Sequence, residues 1–136
     1  MYMINKTRYL SDYLYEATNE NGDSIHIDMR EKHEKKGLSP TELLLSAVAG
    51  CAVVDIVSML KKKRKTVKDI TVETEGWRNE DHPRRFNKIH SKYILISPDT
   101  SEEELSKVAK LTLDKYCSVA SSLNVEIEFS VEIVGG

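Results

Sequence analysis

Between Leu43 and Leu60 runs an apolar stretch whose only charge is Asp55. It limits the fold more than any other part of the chain. Ser39-Pro40-Thr41-Glu42 opens it with helix-start chemistry: a capping serine, a proline suited to the first helical position, and a glutamate placed for a capping box. Lys61-Lys62-Lys63-Arg64-Lys65 closes it, with cations at the negative end of the helix dipole. The spacing predicts a helix from about Pro40 to Lys63 that is apolar nearly all round. Such a helix must be wrapped on most sides by other elements or by a partner chain. The stretch only reaches the lower limit of length for crossing about 30 Å of hydrocarbon. Asp55, Gly50 and two serines interrupt it, so we expect a buried helix of a soluble protein and no membrane partner. The N-terminus shows no charged region followed by an apolar one, so cytoplasmic residence is expected.

The rest of the chain supplies candidate wrapping. Asn5 to Tyr15 reads as strand, and Asn19-Glu20-Asn21-Gly22 as a turn. Ile25, Ile27 and Met29 alternate with His26, Asp28 and Arg30, as in a half-buried strand. Arg30 to Gly37 is a charged linker. Ile70 to Thr74 and Phe86 to Ile96 read as two strands joined by the polar loop Asn79–Pro83. Ser101 and Glu104 form a second capping box. From there a helical stripe of Leu105, Val108, Ala109, Thr112, Tyr116, Val119, Ala120 and Leu123 is predicted to continue for five turns. Val125 to Ile133 alternates cleanly, one face apolar and one polar. Hairpin-like connections imply antiparallel pairing, and the fold class expected is α+β. At 136 residues, with 40% hydrophobic and 31% charged, the chain is expected to be one domain, 1–136. Twenty Lys and Arg against 22 Asp and Glu exclude the basic excess of a generic nucleic-acid binder.

Two cysteines, Cys51 and Cys117, are too few for a disulfide scaffold or an all-cysteine zinc site. Cys51 lies mid-helix among small residues, Ala47-Val48-Ala49-Gly50-Cys51-Ala52. Cys117 falls late in the second predicted helix, at the edge of its apolar stripe. Two readings stay open: two inert core thiols, or a redox pair. In the second, a thiolate attacks a peroxide O–O bond and becomes a sulfenic acid, which another thiol condenses to a disulfide. His26, His33, His82 and His90 lack metal-ligand spacing, so neither metal nor cofactor is expected. Trp77 is expected to be packed.

The segment Gly37-Leu38-Ser39-Pro40-Thr41-Glu42-Leu43-Leu44-Leu45-Ser46-Ala47-Val48-Ala49-Gly50-Cys51 resembles the first-helix signature of the OsmC/Ohr family of thiol peroxidases. Lys115-Tyr116-Cys117-Ser118-Val119-Ala120 resembles the second-cysteine motif of its OsmC-like, YhfA-type branch. The resemblance extends through Asp55–Arg64, Glu75–Arg78 and His82–Phe86. It implies an intertwined homodimer in which antiparallel sheets wrap long central helices. It implies a peroxidatic Cys51 and a resolving Cys117, organic (alkyl or lipid) hydroperoxides as substrates, and a dithiol reductant. The rival reading is a non-enzymatic dimer that binds a hydrophobic small molecule at its interface.

Departures from the family pattern bear on the other site candidates. Members place a Glu directly after the helix-opening proline, whereas Thr41 follows Pro40 and Glu42 comes one place later. Nine steps of about 100° each set Glu42 opposite Cys51 on a regular helix. That favours a capping role over one of orienting an arginine. Arg30 is the first candidate for the cation that activates the thiolate, and Arg78 is the second. Asp55, one turn after Cys51, would oppose activation unless paired with a cation.

Overall fold

The computed structural model describes residues 1–135, which form two compact units divided after Leu44. In the first unit, β1 (Lys6–Ser11), β2 (Leu14–Thr18) and β3 (Ser24–Asp28) make an antiparallel meander. The single strand expected from Asn5 to Tyr15 is therefore two strands. The chain reverses at Asp12-Tyr13, where Tyr13 takes φ 65° and the Tyr9 hydroxyl donates to Asp12 at 2.9 Å. A tyrosine in this conformation carries no turn signature of the kind glycine or asparagine provides. Gly22 does serve the next turn, at φ 93°. Tyr9, Tyr15, Ala17, Ile25 and Ile27 share one face of the sheet by register, yet only Ala17 among them is buried. The fully buried residue of β3 is Asp28, on the opposite face, and Ile25 and Met29 are exposed.

The helix α1 (Pro40–Lys62) follows, within a residue of expectation. Its capping box is formed: the Ser39 amide donates to Glu42 at 2.9 Å, and the Glu42 amide to the Ser39 hydroxyl at 3.3 Å. The helix is long and apolar enough to cross a bilayer, yet it uses only one stripe, Val48, Ala52, Ile56 and Leu60, for full burial. Burial is worth about 1.5–3 kcal/mol for each of the larger members. The opposite stripe of Ser46, Gly50, Val54 and Ser58 is exposed.

The second unit is built on β4 (Asp69–Arg78), β5 (Phe86–Ile96) and β6 (Glu126–Val134), in that order. β4 and β5 form the expected hairpin, while β5 and β6 run parallel, contrary to the antiparallel expectation. A parallel neighbour needs a crossover rather than a turn. The helices between them supply it: α2 (Glu102–Leu111), a π-helical turn (Thr112–Tyr116) and α3 (Ser118–Ser121). The inner face of the sheet stacks Ile70, Leu95 and Ile133, then Val72, Tyr93 and Val131, in cross-strand rows. These meet Ala52, Ile56 and Leu60 of α1, and Leu105, Val108, Ala109 and Cys117, in one core. Trp77 lies on the sheet's edge strand at 44% exposure, not packed as expected, with the Lys88 ammonium 5.1 Å from its ring centre.

The end of α1 is clasped to the start of α2. Lys65 pairs with Glu104 at 3.0 Å and donates to the Asp99 carbonyl at 3.0 Å. The Thr66 amide and hydroxyl both donate to the Asp99 carboxylate, at 2.9 and 3.0 Å. The capping box of Ser101 and Glu104 is complete, as expected.

Candidate active site

The five-turn helix expected after Ser101 breaks. After Leu111 the chain widens into the π-helical turn, closed by the Cys117 amide donating to the Thr112 carbonyl five residues back at 2.8 Å. This break moves Cys117. On an unbroken helix, twelve steps of about 100° leave it about 120° from Leu105, at the margin of the stripe. A π turn takes up one extra residue and sets the phase back by about one step. Cys117 then falls close to the direction of Leu105 and becomes part of the core, at 2% exposure. It leaves the helix with an extended backbone and caps α3, its sulfur accepting from the Ala120 amide at 3.4 Å.

Cys51 stands one position before Ala52 on α1, at the edge of the buried stripe, and is half-buried. Its thiol packs against the core that holds Cys117, near enough for the Cys51 sulfur to act on the Cys117 thiol. Both are free thiols. Burial pushes the Cys117 thiol above its ordinary range, the Ala120 amide pulls it down, and the Cys51 sulfur pushes it up again. The net direction is upward, so Cys117 is a protonated thiol at neutral pH. As a thiol it is a proton donor, and it lies in the core against which Cys51 packs.

The remaining candidates lie elsewhere in the chain's bonding pattern. Arg30 is held by Asp28 through Nε at 3.0 Å and Nη2 at 2.9 Å. Asp28 also accepts from the backbone amides of Arg30 and Lys36, at 3.1 and 2.8 Å. These bonds, the Arg30 guanidinium first among them, hold the Asp28 carboxyl well below the usual carboxylate range against the upward push of burial. Glu42 completes the cap and pairs with Lys35 at 2.6 Å; Lys35 and Ser39 lower its carboxyl to about 2. Arg78 ends β4, exposed, its Nε donating to the Arg84 carbonyl at 2.8 Å. Asp55 is half-buried. Among the described residues no group of His, Cys, Asp and Glu side chains is arranged to hold a metal ion. The sequence reading missed the polar members of the sheet's inner face, Thr74, Ser91 and Tyr93. Their signal was parity, since they occupy positions in step with Ile70, Ile89 and Leu95.

A sequence model of the family described as OsmC-like protein matches residues 33–132. Protein YhfA of Escherichia coli (strain K12) is 38% identical over 117 residues, covering 85% of this chain and 87% of the relative. A hypothetical protein from Aquifex aeolicus VF5 has a solved structure that superposes with a TM-score of 0.87 at 30% identity, over 100% of this chain and 98% of that one. The organic hydroperoxide resistance protein OhrB of Bacillus subtilis superposes with a TM-score of 0.63 at 14% identity, over 98% of each chain, a likeness of fold alone. The extent of these matches and the shared architecture show that the chain belongs to the OsmC-like protein family.

Proposed function

We propose that the protein is a cysteine-dependent peroxidase that reduces alkyl or lipid hydroperoxides. The observation that carries this reading is the packing of the half-buried Cys51 against the core that holds the buried Cys117. In it, the Cys51 thiolate attacks the outer peroxide oxygen, the O–O bond breaks, and the alcohol leaves after taking a proton. Cys51 becomes a sulfenic acid. The Cys117 sulfur displaces its hydroxyl, the Cys117 proton leaves with that hydroxyl as water, and a disulfide joins the two sulfurs. A dithiol reductant returns both thiols. The small and apolar residues around Cys51 favour an alkyl chain over hydrogen peroxide. Arg30 or Arg78 would supply the cation that lowers the barrier to attack, and Glu42 is retained as a candidate for orienting it.

The exposed face of α1 and the apolar face of the first sheet support an intertwined homodimer as the working unit. Cytoplasmic residence suits a cycle that depends on reduced thiols. Steady-state consumption of cumene hydroperoxide with a dithiol tests the proposal. Turnover is expected for the wild type, with a loss of at least about 100-fold for Cys51→Ser. Cys117→Ser is expected to stop after one equivalent and to hold a sulfenic acid that dimedone traps. Unchanged turnover in Cys51→Ser would sink the reading. A small apolar molecule retained in native mass spectrometry, with no thiol oxidation under peroxide, would support the binding module instead.

A further inference from the structure

The inner face of the second unit's sheet carries three hydroxyls for which the thiol cycle has no use. Thr74 faces Ser91 across β4 and β5, and Tyr93 stands two residues further along on the same face. Ser91 and Tyr93 are fully buried. The Oγ1 of Thr74, the Oγ of Ser91 and the Oη of Tyr93 are all shut away from solvent without completing a hydrogen bond within the protein. Folded proteins leave few buried polar groups in this state, and an apolar side chain at any of these positions would avoid the cost. Thr74 and Ser91 are cross-strand neighbours, and Tyr93 sits in the core that contains Cys117 and receives Cys51. Burial pushes the Tyr93 phenol up to about 12, and the Cys117 sulfur adds to that push. The phenol therefore stays protonated at any working pH and acts as a neutral hydrogen-bonding group.

We infer that Thr74, Ser91 and Tyr93 form an oxygen-binding row that holds the hydroxyl of the Cys51 sulfenic acid and then the water it becomes. The inference rests on the peroxidase reading and concerns its second step. In that step the S–O bond at Cys51 breaks as the S–S bond forms. The departing oxygen gains negative charge until the Cys117 proton reaches it. Hydroxyl donors already in place stabilise that charge without reorganising. The first step, attack on the peroxide, makes no use of them.

A single-turnover experiment tests the inference. Reduced protein is mixed with one equivalent of cumene hydroperoxide and quenched into dimedone. Intact mass gives the sulfenic acid, and non-reducing peptide mapping gives the disulfide. Tyr93→Phe and Thr74→Val delete one oxygen each and nearly keep the shape; Thr74→Ser keeps the hydroxyl. Cys51 oxidation at the wild-type rate is expected in all three. The sulfenic acid is expected to last about 3- to 10-fold longer in Tyr93→Phe and Thr74→Val, the loss of one neutral hydrogen bond each. Thr74→Ser is expected to stay near wild type. Disulfide closure at the wild-type rate in both hydroxyl-free variants overturns the inference. So does equal slowing in Thr74→Ser and Thr74→Val, which would make the effect one of packing. A wild type that consumes no peroxide removes the peroxidase reading and this one together. Normal turnover with indifferent variants removes this one alone.

Discussion

Cys51 packs against the core that holds Cys117, and the two differ in access. Cys117 has 2% of its surface exposed and a thiol held above its ordinary range by burial. Its thiolate fraction is therefore small at neutral pH and grows only above the usual thiol value of about 8.5. Iodoacetamide at neutral pH is expected to label Cys51 at least about 10-fold faster than Cys117, with Cys117 gaining as pH rises. Equal rates in peptide mapping would contradict the assigned environments. Asp28 shows the opposite shift. Its carboxyl and that of Glu42 are lowered in the folded chain. The stability they contribute is complete above the ordinary carboxylate range of about 4, and drains as pH falls toward about 2. Melting temperatures measured down through that window should fall for the wild type. The Asp28→Asn variant should start several degrees lower and fall less steeply. At this scale the Ser39–Glu42 box was legible in the sequence, because both partners lie within one helical turn. The Asp28–Arg30–Lys36 network was not, because it forms only when the linker folds back on the strand.

Elements were legible where their partners are close in sequence. Phe86–Ile96 emerges at its observed bounds and pairs with β4 across a short loop. The parallel pairing of β5 with β6 depends on the whole connection, 97–125, and on which sheet edge it returns to, which no local pattern encodes. The π-helical turn was hidden in the same way, since Thr112–Tyr116 has ordinary helical composition and is diverted by the burial of Cys117. The β4–β5 hairpin makes one demand that a substitution can expose. A Cβ on Gly76 would lie 2.7 Å from Phe86 Cδ1 and 3.1 Å from Leu45 Cδ2. Gly76→Ala should cost about 1–3 kcal/mol in chemical denaturation, the range for overpacking. Adding Phe86→Leu should return part of it, and a strictly additive double variant would contradict the contact.

For the molecule as a whole, the unused apolar surface is the main evidence. Val54 is 68% exposed at the middle of the uncovered α1 stripe, and Tyr9 and Ile25 are 60% and 52% exposed on the first sheet. Reading α1 as apolar all round predicted a need for wrapping that one chain meets on one side only. Light scattering is expected to give twice the chain mass for the wild type. Val54→Lys, which sets a charge on that stripe, should shift the molecule toward monomer and lower peroxide turnover in proportion; a wild-type monomer with full activity would contradict the homodimer.

The clasp of Lys65 and Thr66 to Asp99 and Glu104 has a mechanical consequence. α1 runs into the clasp and α2 runs out of it, so the helices act as the two arms of a caliper. Cys51 precedes Lys65 by nearly the same stretch of chain as separates Glu104 from Cys117. At about 1.5 Å of rise per residue the arms are each roughly 20 Å long, and both tips reach the same core. The placing of the two thiols along that core is thus set by counting, far from either one. A residue added to one arm would carry its thiol about 1.5 Å along and about 100° around, out of reach of its counterpart, while leaving every atom of the clasp in place.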